Sequence, residues 1–200
     1  MSKLVMIEFL TVDGVIQGLG SPEEDTEGGF IHGGWGAPFA ASIHQVTSSG
    51  GLSSTTSYLF GRKTYEKMLG FWPEQPDSNP MAAHLNGTPK YVATRTLKEL
   101  SWTGAHVLQG ELHDGVRALK AAGTGDIAIL GSGALCRQLL AEGLVDESRL
   151  FIHPLLLGSG KRLFGDLPRP SSLALKSVAH TDLGTVAITY DVLPRTEAAA

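Results

Sequence analysis

A short apolar run, a glycine turn and a helix follow one another without spacers from Asp126 onward, and this constrains the fold more than any other part of the chain. Ile127, Ala128, Ile129 and Leu130 form an uninterrupted apolar segment between Asp126 and Gly131, the pattern of a strand covered on both faces. Gly131-Ser132-Gly133 breaks it. Ala134 to Glu142 is rich in helix formers, places Leu135, Leu139 and Leu140 on one face, and stops at Gly143. Leu150 to Leu157 then reads as a further strand.

The same alternation extends over the rest of the chain. Lys3 to Leu10 reads as a first strand, followed by a turn at Asp13-Gly14. Gln17 to Gly36 is glycine-rich and acidic, and it is too long for a plain turn; a lid or pocket wall is expected there, because Phe30 and Trp35 are costly to leave in water. A helix is expected from Pro38 to Ser48, stopped by Gly50-Gly51. Ser57 to Phe60 reads as a strand and runs through Gly61 into a helix ending at Leu69. Met81 to Leu85 reads as one or two helical turns, Lys90 to Thr94 and His106 to Gln109 as strands, and Leu112 to Ala122 as a helix. Ser172 to His180 and Thr185 to Val192 form a hairpin, and Arg195 to Ala200 reads as a frayed tail. The expectation is an α/β fold in one domain, residues 1–194. Its central sheet is mostly parallel, with helices on both faces and an antiparallel C-terminal hairpin.

Such sheets bind ligands at the carboxyl ends of their strands, and three candidate anion sites fall there. At Gly131-Ser132-Gly133, N–H groups at a helix start face a turn where glycine allows close approach. Glycine in such a turn also serves geometry alone. Gly61-Arg62-Lys63-Thr64 sets two cations at a helix N-terminus, against the helix dipole, which suits a bound anion or two side chains that simply reach solvent. Thr94-Arg95-Thr96 sets an arginine between hydroxyls just past a strand, where it either grips a phosphate or stays exposed. A dinucleotide carrying a 2′-phosphate uses all three sites. On the substrate side, Asp13, Trp35 and His153 lie after or on strands that end near the same edge. Each also has a structural reading: a turn cap, a core aromatic and a core histidine.

Composition narrows the partners. The net charge is -4, and no basic block appears, which argues against nucleic acid. The longest apolar runs fall far short of the roughly 20 residues that span a bilayer. Met1 to Leu10 reads as a strand rather than a secretory leader, and Cys136 is the single cysteine. A cytoplasmic protein with no metal site is the expectation.

Taken in order, Thr11-Val12-Asp13-Gly14-Val15-Ile16, Gly61-Arg62-Lys63-Thr64, Thr94-Arg95, Gly131-Ser132-Gly133 and Leu157-Gly158-Ser159-Gly160 resemble the dihydrofolate-reductase-like superfamily from Lys3 to Val192. The similarity is greatest to the reductase domain of the bifunctional riboflavin-biosynthesis deaminase-reductases and to its stand-alone bacterial relatives. The resemblance implies a three-layer dihydrofolate-reductase-like fold and NADPH as cofactor. It implies that Gly61, Arg62, Lys63 and Thr64, with Gly131, Ser132, Gly133, Ala134 and Leu135, flank the pyrophosphate. Thr94 and Arg95 then take the 2′-phosphate, and backbone groups near Phe9 and Ile16 hold the nicotinamide carboxamide. Trp35-Gly36-Ala37-Pro38 matches the Trp-x-x-Pro of dihydrofolate reductases, but Ala40 stands where their pterin-binding carboxylate belongs, and Ile152 where a supporting threonine belongs. The zinc deaminase half, with its H-x-E and P-C-x-x-C signature, is missing.

The resemblance therefore implies an NADPH-dependent, riboflavin-type reductase acting on a small heterocyclic or ribosylamine substrate. A dihydrofolate reductase with altered pterin binding and a non-catalytic dinucleotide-binding oligomer remain as alternatives. The riboflavin-type relatives are twofold dimers, which implies a homodimer here, using Leu155–Gly160 and the C-terminal strands.

Overall fold

The computed structural model describes residues 1–42, 53–165, 167 and 169–194. Eight strands form one sheet: β1 (Lys3–Thr11), β2 (Thr55–Gly61), β3 (Lys90–Ala93), β4 (Ala105–Val107), β5 (Asp126–Leu130), β6 (Glu147–His153), β7 (Leu173–His180) and β8 (Val186–Val192). Their spatial order is β4-β3-β2-β5-β1-β6-β8-β7. β1 to β6 pair parallel with one another, and β8 pairs antiparallel with both β6 and β7. This is the dihydrofolate-reductase-like architecture expected from the sequence.

The apolar runs of the central strands are explained by helices on both faces. Leu4, Met6, Leu59, Ile127 and Ile129 point to one face, against α3 (Leu112–Ala122) and α4 (Gly133–Ala141). Val5, Ile7, Tyr58, Phe60, Ala128 and Leu130 point to the other, against α1 (Arg62–Leu69) and α2 (Pro80–Gly87). Alternate residues of one strand thus serve two cores, and each fully buried aliphatic side chain is worth about 1.5–3 kcal/mol. Pro80 opens α2, and the Asn79 side chain caps it by accepting from the Met81 and Ala82 N–H groups.

Two strands sit elsewhere than their apolar pattern suggests. β6 begins at Glu147 and ends at His153, not Leu150 to Leu157. Its first residues are charged but paired: Glu147 is buried and accepts from Arg149 and Lys176, and Arg149 also reaches Asp126. Pro154 has no N–H to continue the ladder, and the Leu155 N–H turns back to the His153 carbonyl. β4 is Ala105–Val107 rather than His106 to Gln109.

Residues Gln17 to Gly36 form a folded strap with a small core of its own. Phe30 and Trp35 are buried with Val15, beside Leu19, Leu155 and Leu157. Gln17 is its hub: the side-chain amide donates to the Asp25 and Glu27 carbonyls, its Oε1 accepts from the Lys161 N–H, and its own carbonyl accepts from Trp35 Nε1 at 2.7 Å. The Pro38 to Ser48 helix begins as a 3-10 turn at Ala37–Phe39 and continues as helix at residues 40–42; the remainder, and the tail from Arg195, lie outside the described residues. No helix among the described residues is long and apolar enough to cross a membrane.

Candidate functional site

β5 lies between β2 and β1, while β6 lies on the other side of β1. The chain therefore reverses its direction of travel across the sheet at the β5–β1 boundary, and in open α/β sheets this is where a crevice opens beyond the strand ends. Pairing of β1 with β5 stops at Ile7 and Leu130, whereas pairing with β6 continues to Thr11 and His153. From Glu8 onward, β1 has a neighbour on one side only.

Two strand-to-helix turns meet at this boundary. The Gly61 N–H donates to Ser132 Oγ at 3.0 Å, and Ser132 Oγ donates to Thr64 Oγ1 at 2.6 Å. Ser132 holds φ 69° and ψ 56°, the one non-glycine residue at positive φ among those described. A side chain held in that costly region by two hydrogen bonds is a feature that clusters at functional sites. Gly133 lets Ile16 pack closely on the turn, since a Cβ there would lie 2.1 Å from Ile16 Cδ1 and would push that side chain aside. The first intrahelical bond of α4 is Cys136 N–H to the Ser132 carbonyl. The N–H groups of Gly133, Ala134 and Leu135 thus precede the helical ladder and remain donors toward an anion. The Leu135 side chain is buried in the core, so only its backbone serves there.

The flanking cations all have carboxylate partners. Arg62 bonds both oxygens of Glu66 one turn on, Lys63 reaches Glu27 of the strap at 3.1 Å, and the highly exposed Arg95 reaches Glu111 at 3.3 Å. The Thr94 hydroxyl accepts from the Thr96 and Leu97 N–H groups and fixes the Arg95 loop at the end of β3, beside Gly61 in the sheet register. Lys161, which sequence reasoning missed, belongs to the same group. Its carbonyl accepts from the Ile16 N–H, and its ammonium bonds Asp25 and Glu27. These contacts hold both carboxylates in their charged form, and Lys161 is the main cause of the lowered pKa at Glu27. Only the strap's fold brings these groups together, and no local pattern marks it.

Of the three substrate-side candidates, His153 and Trp35 pack together. His153 is fully buried at the end of β6, beside Thr11 in the register. Its ring packs 5.5 Å from Trp35, 5.0 Å from Phe39 and 6.3 Å from Phe9. Its Nδ1 shares a hydrogen with Thr185 Oγ1 at 3.0 Å, and its Nε2 is buried without a hydrogen-bond partner among the described residues. Burial lowers its pKa to about 4, so at neutral pH it is an uncharged imidazole with one buried, unpartnered ring nitrogen among the described residues. Phe39 and Thr185 complete this box, and neither carries a sequence signal. Asp13 is a brace. Its carboxylate accepts from Thr11 Oγ1 at 2.6 Å and from the Leu157 and Gly158 N–H groups. The Thr11 hydroxyl is the main reason that its pKa falls to about 2, which leaves it ionised and without a proton to give. Ala40 is exposed and Ile152 half-buried.

Beneath the turn lies Glu8, buried in β1. Cys136 Sγ donates to its Oε1 at 3.1 Å. Burial raises the Glu8 pKa to about 7, against the opposing effects of that hydrogen bond and of Arg137.

Comparison with known proteins bears on the fold and the family. The chain is 32% identical over 142 residues, 70% of its length and 75% of the relative's, to the uncharacterized protein YyaP of Bacillus subtilis (strain 168). Its fold is similar to a putative riboflavin biosynthesis protein from Shewanella sp. PV-4, with a TM-score of 0.68 at 19% identity, covering 96% of this chain and 99% of that one. A pyrimidine reductase-like protein from Corynebacterium diphtheriae gives a TM-score of 0.58 at 15% identity, covering 97% and 93%. At those identities the structures establish the fold alone. The family model described as the RibD C-terminal domain matches residues 2–189, nearly the whole sheet with its paired turns and crevice, and the chain belongs to that reductase-like family.

Proposed function

We propose that this protein is an NADPH-dependent reductase that transfers hydride to a small, uncharged heterocycle of the aminouracil type. The observation that carries the reading is the crevice between β1 and β5. There two glycine turns are locked together through Ser132, and donors and cations are gathered beyond the strand ends. The donor set suits a dinucleotide, since the first-turn N–H groups of α4 and the cations Arg62, Lys63 and Arg95 all favour anions. The close approach of Ile16 to Gly133 supplies an apolar floor beside them. In this reading Gly61 to Thr64 and Gly131 to Leu135 flank the pyrophosphate, while Thr94 and Arg95 take the 2′-phosphate. Phe9 and Ile16 border the nicotinamide end.

NADPH, when bound, supplies the hydride. The residues of the chain bind, orient and exclude water. Phe9, Trp35 and Phe39 form an aromatic wall, and the buried Nε2 of neutral His153 behind it has no partner among the described residues, which leaves it a single hydrogen bond for a ring edge that enters between these rings. No carboxylate among the described residues belongs to that box, which favours an uncharged ring over a protonated pterin. With Asp13 ionised and His153 neutral, the proton that accompanies reduction of an imine or carbonyl comes from water.

We further propose that the protein acts in the cytoplasm as a homodimer. The bulge between Leu175 and Ser177 keeps the exposed Leu173, Leu175 and Val178 on one face of β7, opposite Val192, Tyr190 and Ile188 of β8. β7 is the sheet's edge, and a second copy is the natural cover for such a stripe. The enzymatic reading is tested by following NADPH consumption with the riboflavin-pathway aminouracil and, separately, with dihydrofolate. Turnover of the uracil alone is expected. Efficient turnover of dihydrofolate alone, or NADPH binding with no turnover of either compound, overturns it.

A further inference from the structure

Lys63 and Lys161 come from distant parts of the chain and converge on one oxygen. Glu27 Oε2 lies 3.1 Å from Lys63 Nζ and 2.7 Å from Lys161 Nζ. Both lysines are fixed to the crevice. Lys63 is the second residue of α1, directly after the Gly61 turn. Lys161 is held through its backbone by Ile16 and Gln17, and Ile16 packs on Gly133. A carboxylate oxygen and a phosphate oxygen accept the same charge-assisted bonds, so the position of Glu27 Oε2 marks a place for a phosphate oxygen.

We propose that Lys63 and Lys161 form a clamp for a phosphate group of the ligand, and that Glu27 is a built-in competitor that fills the clamp until the ligand arrives. The inference rests on the reductase reading for the location of the crevice and adds to it a residue pair and a competing carboxylate. The Glu27 side chain is exposed, and its two ion pairs are of the weak surface kind. Its release leaves the strap in place, because Asp25 still binds Lys161 and Lys67 and Gln17 still holds the Asp25 and Glu27 carbonyls. A cleft of about 570 Å³ between strap and α1, lined by Glu23, Glu24, Asp25, Glu27, Lys63 and Lys67, gives the displaced side chain room.

The test is a calorimetric titration of the full chain with NADPH and, separately, with a ribose phosphate. The proteins compared are wild type, Glu27→Gln, Lys161→Gln and Glu23→Gln. Removing two surface pairs corresponds to a gain of roughly two- to thirtyfold in affinity for Glu27→Gln, shrinking with added salt. Lys161→Gln is expected to weaken binding. Glu23 lines the same cleft but pairs with neither lysine among the described residues, so Glu23→Gln controls for net charge. A gain with NADPH alone assigns the clamp to the cofactor, and a gain with the ribose phosphate alone assigns it to a substrate phosphate. Unchanged affinity in Glu27→Gln, or an equal gain in Glu23→Gln, overturns the clamp. If the wild type binds ribose phosphate but no NADPH, the cofactor reading falls and a Glu27→Gln gain still upholds the clamp. Binding of neither compound overturns both.

Discussion

Replacing Ser132 separates the two opposing energies at the junction of the glycine turns. The hydroxyl accepts from the Gly61 N–H and donates to Thr64 Oγ1; at about 0.5–1.5 kcal/mol net for each bond, Ser132→Ala loses about 1–3 kcal/mol. Alanine also keeps the left-handed backbone at φ 69°, which costs a non-glycine residue about 1–2 kcal/mol. Ser132→Gly loses the same two bonds and relieves that strain. Ser132→Gly is therefore expected to be more stable than Ser132→Ala by about 1–2 kcal/mol. For a chain of this size, each kcal/mol moves the melting temperature by about 2–4 °C. Ser132→Ala should then melt about 2–12 °C below wild type, and Ser132→Gly about 2–8 °C above Ser132→Ala. Calorimetric scans of the three proteins at one concentration decide the matter. A Ser132→Ala protein as stable as wild type, or a Ser132→Gly protein that melts below Ser132→Ala, would refute the bookkeeping and with it the view of Ser132 as a strained lock.

Glu8 predicts a pH dependence of definite sign. Its folded pKa of about 7 lies above the ordinary 4.5, so its contribution to stability is full below pH 4.5 and is lost as pH rises through 7. The loss amounts to about 3 kcal/mol; Glu8→Gln should flatten the stability profile between pH 5 and pH 8, and an unchanged slope would count against a buried, protonated Glu8. Arg95→Ala should weaken NADPH by about 1.5–3 kcal/mol and NADH far less, and equal losses in paired titrations would remove Arg95 from the 2′-phosphate. Leu175→Asp places a charge in the apolar stripe of β7 and should convert the proposed dimer to a 21.2 kDa species in light scattering; a wild type that is already a 21.2 kDa species would overturn the proposed dimer, and a dimer that persists in the variant would move the contact elsewhere, with Leu156→Asp testing the exposed loop after β6.

Local chemistry made the β5–turn–α4 segment legible. An apolar run, two glycines and a helix-forming stretch each carry their meaning within a few residues, and the turn lies where they place it. The start of β6 was hidden because Glu147 and Arg149 read as surface residues until their partners Asp126 and Lys176 are brought alongside. The strap's polarity concealed its core in the same way, since Phe30 and Trp35 find Val15 and Leu155 only through long-range packing. In the site itself, His153 and Trp35 were legible as candidates. The neutrality of His153 was not, because it arises from burial, among rings such as Phe39 that only the fold brings alongside. Asp13 read equally as ligand or cap, and its three hydrogen-bond donors make it a brace. The union of Lys161 and Glu27 across 134 residues has no sequence signature at all.

The seat of the dinucleotide is the central claim, and a crystal structure of the protein grown with NADPH tests it most directly. The account predicts the pyrophosphate between the first turns of α1 and α4, the 2′-phosphate at Arg95, and the nicotinamide at the end of β1, facing the box around His153. NADPH bound away from the β1–β5 crevice, or a crevice without NADPH at saturating concentration, would contradict it.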